Sequence, residues 1–87
     1  MAGVEVVDND SLHRFEITVD GKAAGFAFYR TEPGAVVFTH TEIDPAFEGQ
    51  GLGSKLAAAA LQNVRDRGLE IVPVCPFIAA YMKRHPV

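Results

Sequence analysis

The run Glu48-Gly49-Gln50-Gly51-Leu52-Gly53-Ser54 carries three glycines at alternating positions, where an extended apolar segment gives way to a helical one. Glycines so placed leave backbone N–H groups unhindered at a helix N-terminus, and the helix dipole adds a preference for negative charge, so the run suits a phosphate. The plainer reading is a tight entry into the helix, since isolated glycine patterns carry little weight alone. Two nucleotide motifs are excluded: the run lacks G-x-G-x-x-G spacing and an early βαβ position, and Gly53-Ser54-Lys55 is not the G-K-[ST] ending of a P-loop. Around this turn stand a few side chains able to move protons. His40, of the side-chain type that changes charge near neutral pH, suits proton removal there, and Glu42 on the same strand face is a reserve base. Histidine packed against Phe38 or bonded to backbone, and a merely solvated glutamate, are the plainer alternatives. Cys75 is the single cysteine; such a thiol is either a small buried hydrophobe or, facing a helix N-terminus, a thiolate nucleophile.

The elements that must position these groups follow from the hydrophobic period. Val4–Val7 is a short apolar run, and His13–Val19 alternates so that Phe15, Ile17 and Val19 share one face. Asp20-Gly21 is a two-residue turn signal, and Ala23–Tyr29 places Phe26 and Phe28 on one face, which predicts a hairpin. After the turn Glu32-Pro33-Gly34, the segment Ala35–Ile43 is rich in β-branched and aromatic residues and reads as a strand that Asp44-Pro45 ends. From about Gly51 the period changes: Leu52, Leu56, Ala60 and Val64 recur on one helical face, with Lys55, Gln62, Arg65 and Arg67 towards solvent and Gly68 as the stop. Leu69–Cys75 reads as a last strand and Pro76–Arg84 as a short terminal helix with proline in its first turn. The expectation is an α+β domain: a mostly antiparallel sheet of about five strands, closed by a strand-helix-strand unit whose strands are parallel and adjacent.

Eighty-seven residues allow one hydrophobic core, so a single domain over 1–87 is expected. A hydrophobic fraction of 48% and a formal charge of −3, with eight Lys and Arg scattered along the chain, disfavour disorder and leave no basic stripe for nucleic acid. The single cysteine, and the lack of a basic or apolar leader in Met1-Ala2-Gly3-Val4-Glu5, point to the cytoplasm. Apolar stretches such as Ala57–Leu61 fall far short of the roughly 20 residues that span a bilayer, so no membrane segment is expected. The oligomeric state is not legible at this level.

The run Ile43-Asp44-Pro45-Ala46-Phe47-Glu48-Gly49-Gln50-Gly51-Leu52-Gly53-Ser54-Lys55-Leu56 resembles the pattern of the GNAT acetyltransferases: a strand ending in Val-x-Pro, then Arg-Gly-x-Gly-x-Gly, then a helix. With Val72–Pro86 downstream and His40-Thr41 upstream, the second half further resembles that superfamily's miniature stand-alone proteins. The resemblance implies a GNAT-like fold and acetyl-CoA as cofactor. The backbone of Glu48, Gly49, Gln50, Gly51, Leu52, Gly53 and Ser54 would hold the pyrophosphate. The pantetheine arm would lie along Thr41, Glu42 and Ile43, in a V-shaped gap between strands 36–43 and 69–75. Glu48 stands where many such loops begin with Arg or Gln, and the helices that wall the acceptor pocket in longer members are replaced by the short link 7–12, which implies an open acceptor site.

The resemblance also implies roles. An amine, whether a protein lysine or a small molecule, would attack the thioester directly with His40 as base, because a free alkyl amine is almost wholly protonated at pH 7. Cys75 would line the acyl pocket or, alternatively, accept the acetyl group itself. Tyr81 would protonate the departing thiolate, or its ring is simply core at helical spacing with Phe77 and Ile78. Lys83, Arg84 and His85 read as a solvated helix end that could approach the adenosine 3′-phosphate. A module that binds or senses coenzyme A with little catalysis, and a scaffold that only mediates interactions, are the readings of other classes.

Overall fold

The computed structural model describes residues 3–85; Met1 and Ala2 of the N-terminal reading, and Pro86 of the terminal motif, lie outside them. Five strands form one sheet in chain order, β1 (Val4–Asn9), β2 (Arg14–Val19), β3 (Lys22–Glu32), β4 (Ala35–Ile43) and β5 (Glu70–Pro73). Helix α1 (Leu52–Asp66) crosses from β4 to β5, and α2 (Pro76–Arg84) ends the described chain. The first four strands pair antiparallel and β5 joins β4 in parallel, so the expected meander with a terminal strand-helix-strand unit is the architecture found.

The local reasons are those of the sequence. Asp20 and Gly21 both take positive φ, 50° and 81°, the geometry of a primed hairpin turn whose twist matches its strands. Helix α1 stops on Gly68, at φ 71°. There the Gly68 N–H donates to Arg65 C=O at 2.9 Å and the Leu69 N–H to Val64 C=O at 3.2 Å, the paired bonds of a Schellman stop. Leu52, Leu56, Ala57, Ala60, Leu61 and Val64 of α1 are buried against Phe15, Ile17, Ala27, Tyr29, Val36 and Phe38 of the sheet. The small Ala57 and Ala60 let the helix backbone come close. Ile78 of α2 joins the same cluster, with Tyr81 and Met82 packed on it, so both helices seal one face.

Two boundaries differ from expectation. The segment read as a link from Val7 continues as β1 to Asn9 and then makes one 3-10 turn, Asp10–Leu12, capped by the Asn9 side chain accepting from the Leu12 N–H at 3.3 Å. At the other end β5 is four residues long rather than 69–75. Pro73 has no N–H to continue the ladder, and Val74 turns out to solvent, 56% exposed. Among the described residues, no helix is long and apolar enough to cross a membrane.

Candidate functional site

The parallel ladder of β4 and β5 runs only from Ala35–Glu70 to Phe38–Pro73, and one further bond follows, the Cys75 N–H donating to Phe38 C=O at 2.8 Å. Beyond it β4 continues to Ile43 with β3 on one side and, among the described residues, no strand on the other. The splay is therefore a consequence of Pro73 and of the chain turning into α2 at Pro76. Cys75, at the N-cap of α2, is 2% exposed, with its Sγ 3.4 Å from Thr41 Oγ1.

At the far end of β4 the chain makes a 3-10 turn, Pro45–Phe47, with Asp44 Oδ1 accepting from the Ala46 N–H at 2.8 Å, and then enters the glycine run. Gly49 and Gly51 have φ of 81° and 72°, a left-handed backbone that side chains resist. Gly51 is the N-cap of α1 and, being glycine, supplies no side-chain acceptor; the first helical bond is Lys55 N–H to Gly51 C=O at 3.3 Å. The amides of Leu52, Gly53 and Ser54 thus begin a 15-residue helix without a carboxylate in its first turn, an arrangement suited to an anion. Above them lies a groove of ≈ 240 Å³ whose lining runs from Ile43 through the loop to Ser54, with Phe47 and Phe77 as aromatic walls.

Gly53 is a glycine for another reason. Its φ is not left-handed, but a Cβ there would lie 2.9 Å from Cζ of Phe77. The third glycine makes room for the ring of α2.

A β-bulge decides where the candidate base points. The β3–β4 register slips between the pairs Phe28–His40 and Tyr29–Phe38, leaving Thr39 as the extra residue, its Oγ1 donating to Phe28 C=O at 3.3 Å. Without the bulge His40 would share a face with Phe38; with it, His40 moves to the face opposite α1. Its ring stacks on Phe28 at 6.0 Å between centroids, and Nε2 stands 3.1 Å from Glu42 Oε1. The expected alternative of packing against Phe38 is corrected accordingly, whereas the shared face of His40 and Glu42 is found. On this face lies a second hollow, of ≈ 620 Å³, lined by Ala23, Phe26, His40, Glu42, Ile43, Asp44 and Pro45. Arg14 stacks its guanidinium over Phe26 at 4.1 Å and pairs with Glu16 at 2.7 Å. That hydrogen bond, helped by Asn9, holds the Glu16 carboxyl below its ordinary range.

The candidate residues therefore divide. The groove gathers Ile43, Glu48, Gly49, Gly51, Leu52, Gly53 and Ser54, and the hollow gathers His40, Glu42 and Ile43. Gln50, Thr41, Cys75 and Tyr81 line neither, although Thr41 and Cys75 meet each other at the splay. Tyr81 is half-buried with its ring stacked 4.2 Å from that of His85, while Lys83, Arg84 and His85 are exposed as expected. Phe47 and Phe77 were missed by the sequence reading. Phe77 is 36% exposed and so is no core partner of Tyr81; the available signal was an apolar residue off the Ile78, Tyr81 and Met82 stripe. Among the described residues no cluster of His, Cys, Asp or Glu is arranged to hold a metal ion.

The model of the family described as GCN5-related N-acetyl-transferase matches residues 14–87. Over 48 residues, 55% of its length, the chain is 38% identical to Protein NATD1 of Xenopus tropicalis and of Homo sapiens, covering 44% and 42% of them. It spans under half the length of these curated relatives.

Proposed function

This chain belongs to the GCN5-related N-acetyltransferase family, and from that premise we propose that it is an acetyl-CoA-dependent N-acetyltransferase acting on an amine, a protein lysine or a small molecule, as a single domain. The observation that carries the reading is the groove over the N-terminus of α1, where left-handed Gly49 and Gly51 and the first-turn amides from Leu52 to Ser54 offer a diphosphate donors without side-chain obstruction. Phe47, Phe77 and Ile43 supply apolar contact for the adjoining pantetheine, and the unpaired edge of β4 from Thr41 to Ile43 leads it towards the splay. A site with anion-binding amides, apolar walls and a free strand edge suits coenzyme A better than a free nucleotide.

The chemistry asks little of the protein beyond placement and one base. The acceptor ammonium gives a proton to His40 Nδ1, the ring nitrogen turned away from Glu42, and the imidazolium is steadied by Glu42 Oε1, 3.1 Å from Nε2. With acetyl-CoA bound, the freed nitrogen would bond to the thioester carbonyl as the C–S bond breaks, giving its second proton to water while the departing thiolate takes one up. Tyr81 is the donor the family resemblance assigns to that last step. Cys75 is read as lining the acyl end, because its buried thiol meets Thr41 Oγ1 while His40 stands on the opposite face of the sheet. A second reading, a coenzyme A-binding or sensing module with little catalysis, draws on Cys75 and Tyr81 standing outside both hollows. Calorimetry with acetyl-CoA and mass spectrometry of an amine panel test both. Binding with acetylated product supports the enzyme, binding without product supports the sensing module, and no binding overturns both.

A further inference from the structure

We propose that the hollow on the sheet face opposite α1 is the acceptor site and selects amines that carry a second positive charge; the inference rests on the acetyl-transfer reading above. Ile43 belongs to the lining of this hollow and of the groove, so the two sites stand back to back across the end of β4. Its charged lining is acidic: Glu42 and Asp44 contribute carboxylates, and neither Lys nor Arg lines it. The floor is Phe26, whose ring already takes the guanidinium of Arg14 at 4.1 Å, a cation neutralised in turn by Glu16 at 2.7 Å.

The second charge follows from how these groups are engaged. The nitrogen that reacts must be neutral when it attacks, having given its proton to His40, and the imidazolium so formed is matched by Glu42 Oε1 at 3.1 Å. Asp44 keeps one oxygen on the Ala46 N–H at 2.8 Å, and among the described residues its other oxygen takes no hydrogen bond. That oxygen lies in the lining of the hollow together with Phe26, and the reacting nitrogen, once neutral, is no ionic partner for it. A second ammonium or guanidinium on the acceptor, a short carbon chain from the first, supplies one. A free diamine and a lysine beside another basic residue in a peptide share this chemistry.

The test compares acceptors at saturating acetyl-CoA: butylamine against the diamine of the same four-carbon chain, and a peptide lysine followed by arginine against one followed by alanine. The dicationic member of at least one pair is expected to show a kcat/KM tenfold or more above its partner, and the pair that does so identifies the source. The preference should shrink as salt is raised. Asp44→Asn keeps the oxygen that caps the turn and should bring the ratio towards one, whereas Glu48→Gln, at the groove, should leave the ratio in place. Equal kcat/KM within both pairs overturns the inference while leaving acetyl transfer standing. Where no amine is acetylated, it is the transfer reading that fails, and the site is then read by NMR titration with the diamine alone. Shifts at Phe26, Glu42 and Asp44 that Asp44→Asn abolishes uphold the site; unmoved resonances overturn it.

Discussion

At the scale of single residues, three glycines that look equivalent in the sequence have different causes. Gly51, at φ 72° with open space before it, is held by backbone conformation. Gly51→Ala should cost about 1–2 kcal/mol of stability through left-handed strain and should weaken acetyl-CoA binding in calorimetry. Gly53 is held by its neighbour, because an added Cβ would lie 2.9 Å from the Phe77 ring. Gly53→Ala should cost about 1 kcal/mol in wild-type protein, yet become neutral or mildly stabilising in a Phe77→Ala background, where alanine's better helix propensity is unopposed. Additive effects in that double-mutant cycle, read by thermal unfolding, would refute the packing account. Cys75→Ala tests direct attack: activity should fall only modestly, and intact-protein mass spectrometry of wild type with acetyl-CoA should show no adduct. An acetyl-thioester at Cys75 that an added amine discharges at the turnover rate would establish the covalent route instead.

At the scale of elements, the site is made by irregularities in strands rather than by the strands themselves. Thr39 turns His40 and Glu42 out to one face and Thr41 in towards Cys75, and Pro73 ends β5 early enough to open the gap. The end of β4 is held against β3 at Gly25, where a Cβ would stand 2.5 Å from Ile43 Cδ1 and 2.7 Å from the Glu42 carbonyl oxygen. Gly25→Ala must push backbone away, so it should lower stability by about 1–3 kcal/mol and impair both the hollow and the groove, which share Ile43. Chemical denaturation and acetyl-CoA titration of one sample check the pair of effects. On β2, the depressed pKa of Glu16, caused first by its hydrogen bond from Arg14, makes a pH prediction. A carboxyl with a lowered folded pKa adds stability that is present above its ordinary value of 4.5 and lost as pH falls through the folded value. Glu16→Gln should therefore flatten the acid limb of the stability curve below about pH 4.5, with little effect of pH above it.

At the scale of the whole molecule, one helix holds the sheet together. Helix α1 packs across the core residues of β2, β3 and β4, and Arg67 just beyond it reaches Asp8 of β1 at 3.7 Å. The same helix presents the amides proposed to bind the cofactor. Ligand bound at its N-terminus should stabilise the entire fold rather than one loop. At acetyl-CoA a hundredfold above Kd the gain is about 2.7 kcal/mol, and for a domain of this size Tm should rise by about 10 °C or more. Scanning calorimetry that shows no rise in wild type would remove the groove from consideration, and Gly51→Val should abolish the rise.

The sequence by itself determined most of the architecture, because periods and turn chemistry are local. Alternation in Phe15, Ile17 and Val19, the Asp20-Gly21 turn, the Leu52–Leu56–Ala60–Val64 stripe and the Gly68 stop all act within a few residues of themselves. The glycine run and its flanks carried the family for the same reason. What lay beyond reach depends on contacts between distant segments. A bulge at Thr39 is a matter of register between two strands, and one extra residue reversed the face of every side chain after it. Phe77 became a wall of the groove only because α2 packs onto Gly53, and Cys75 met Thr41 only where two strands part. The identity of the elements is written locally, but which face each functional side chain presents was decided by how the strands and helices settled against one another.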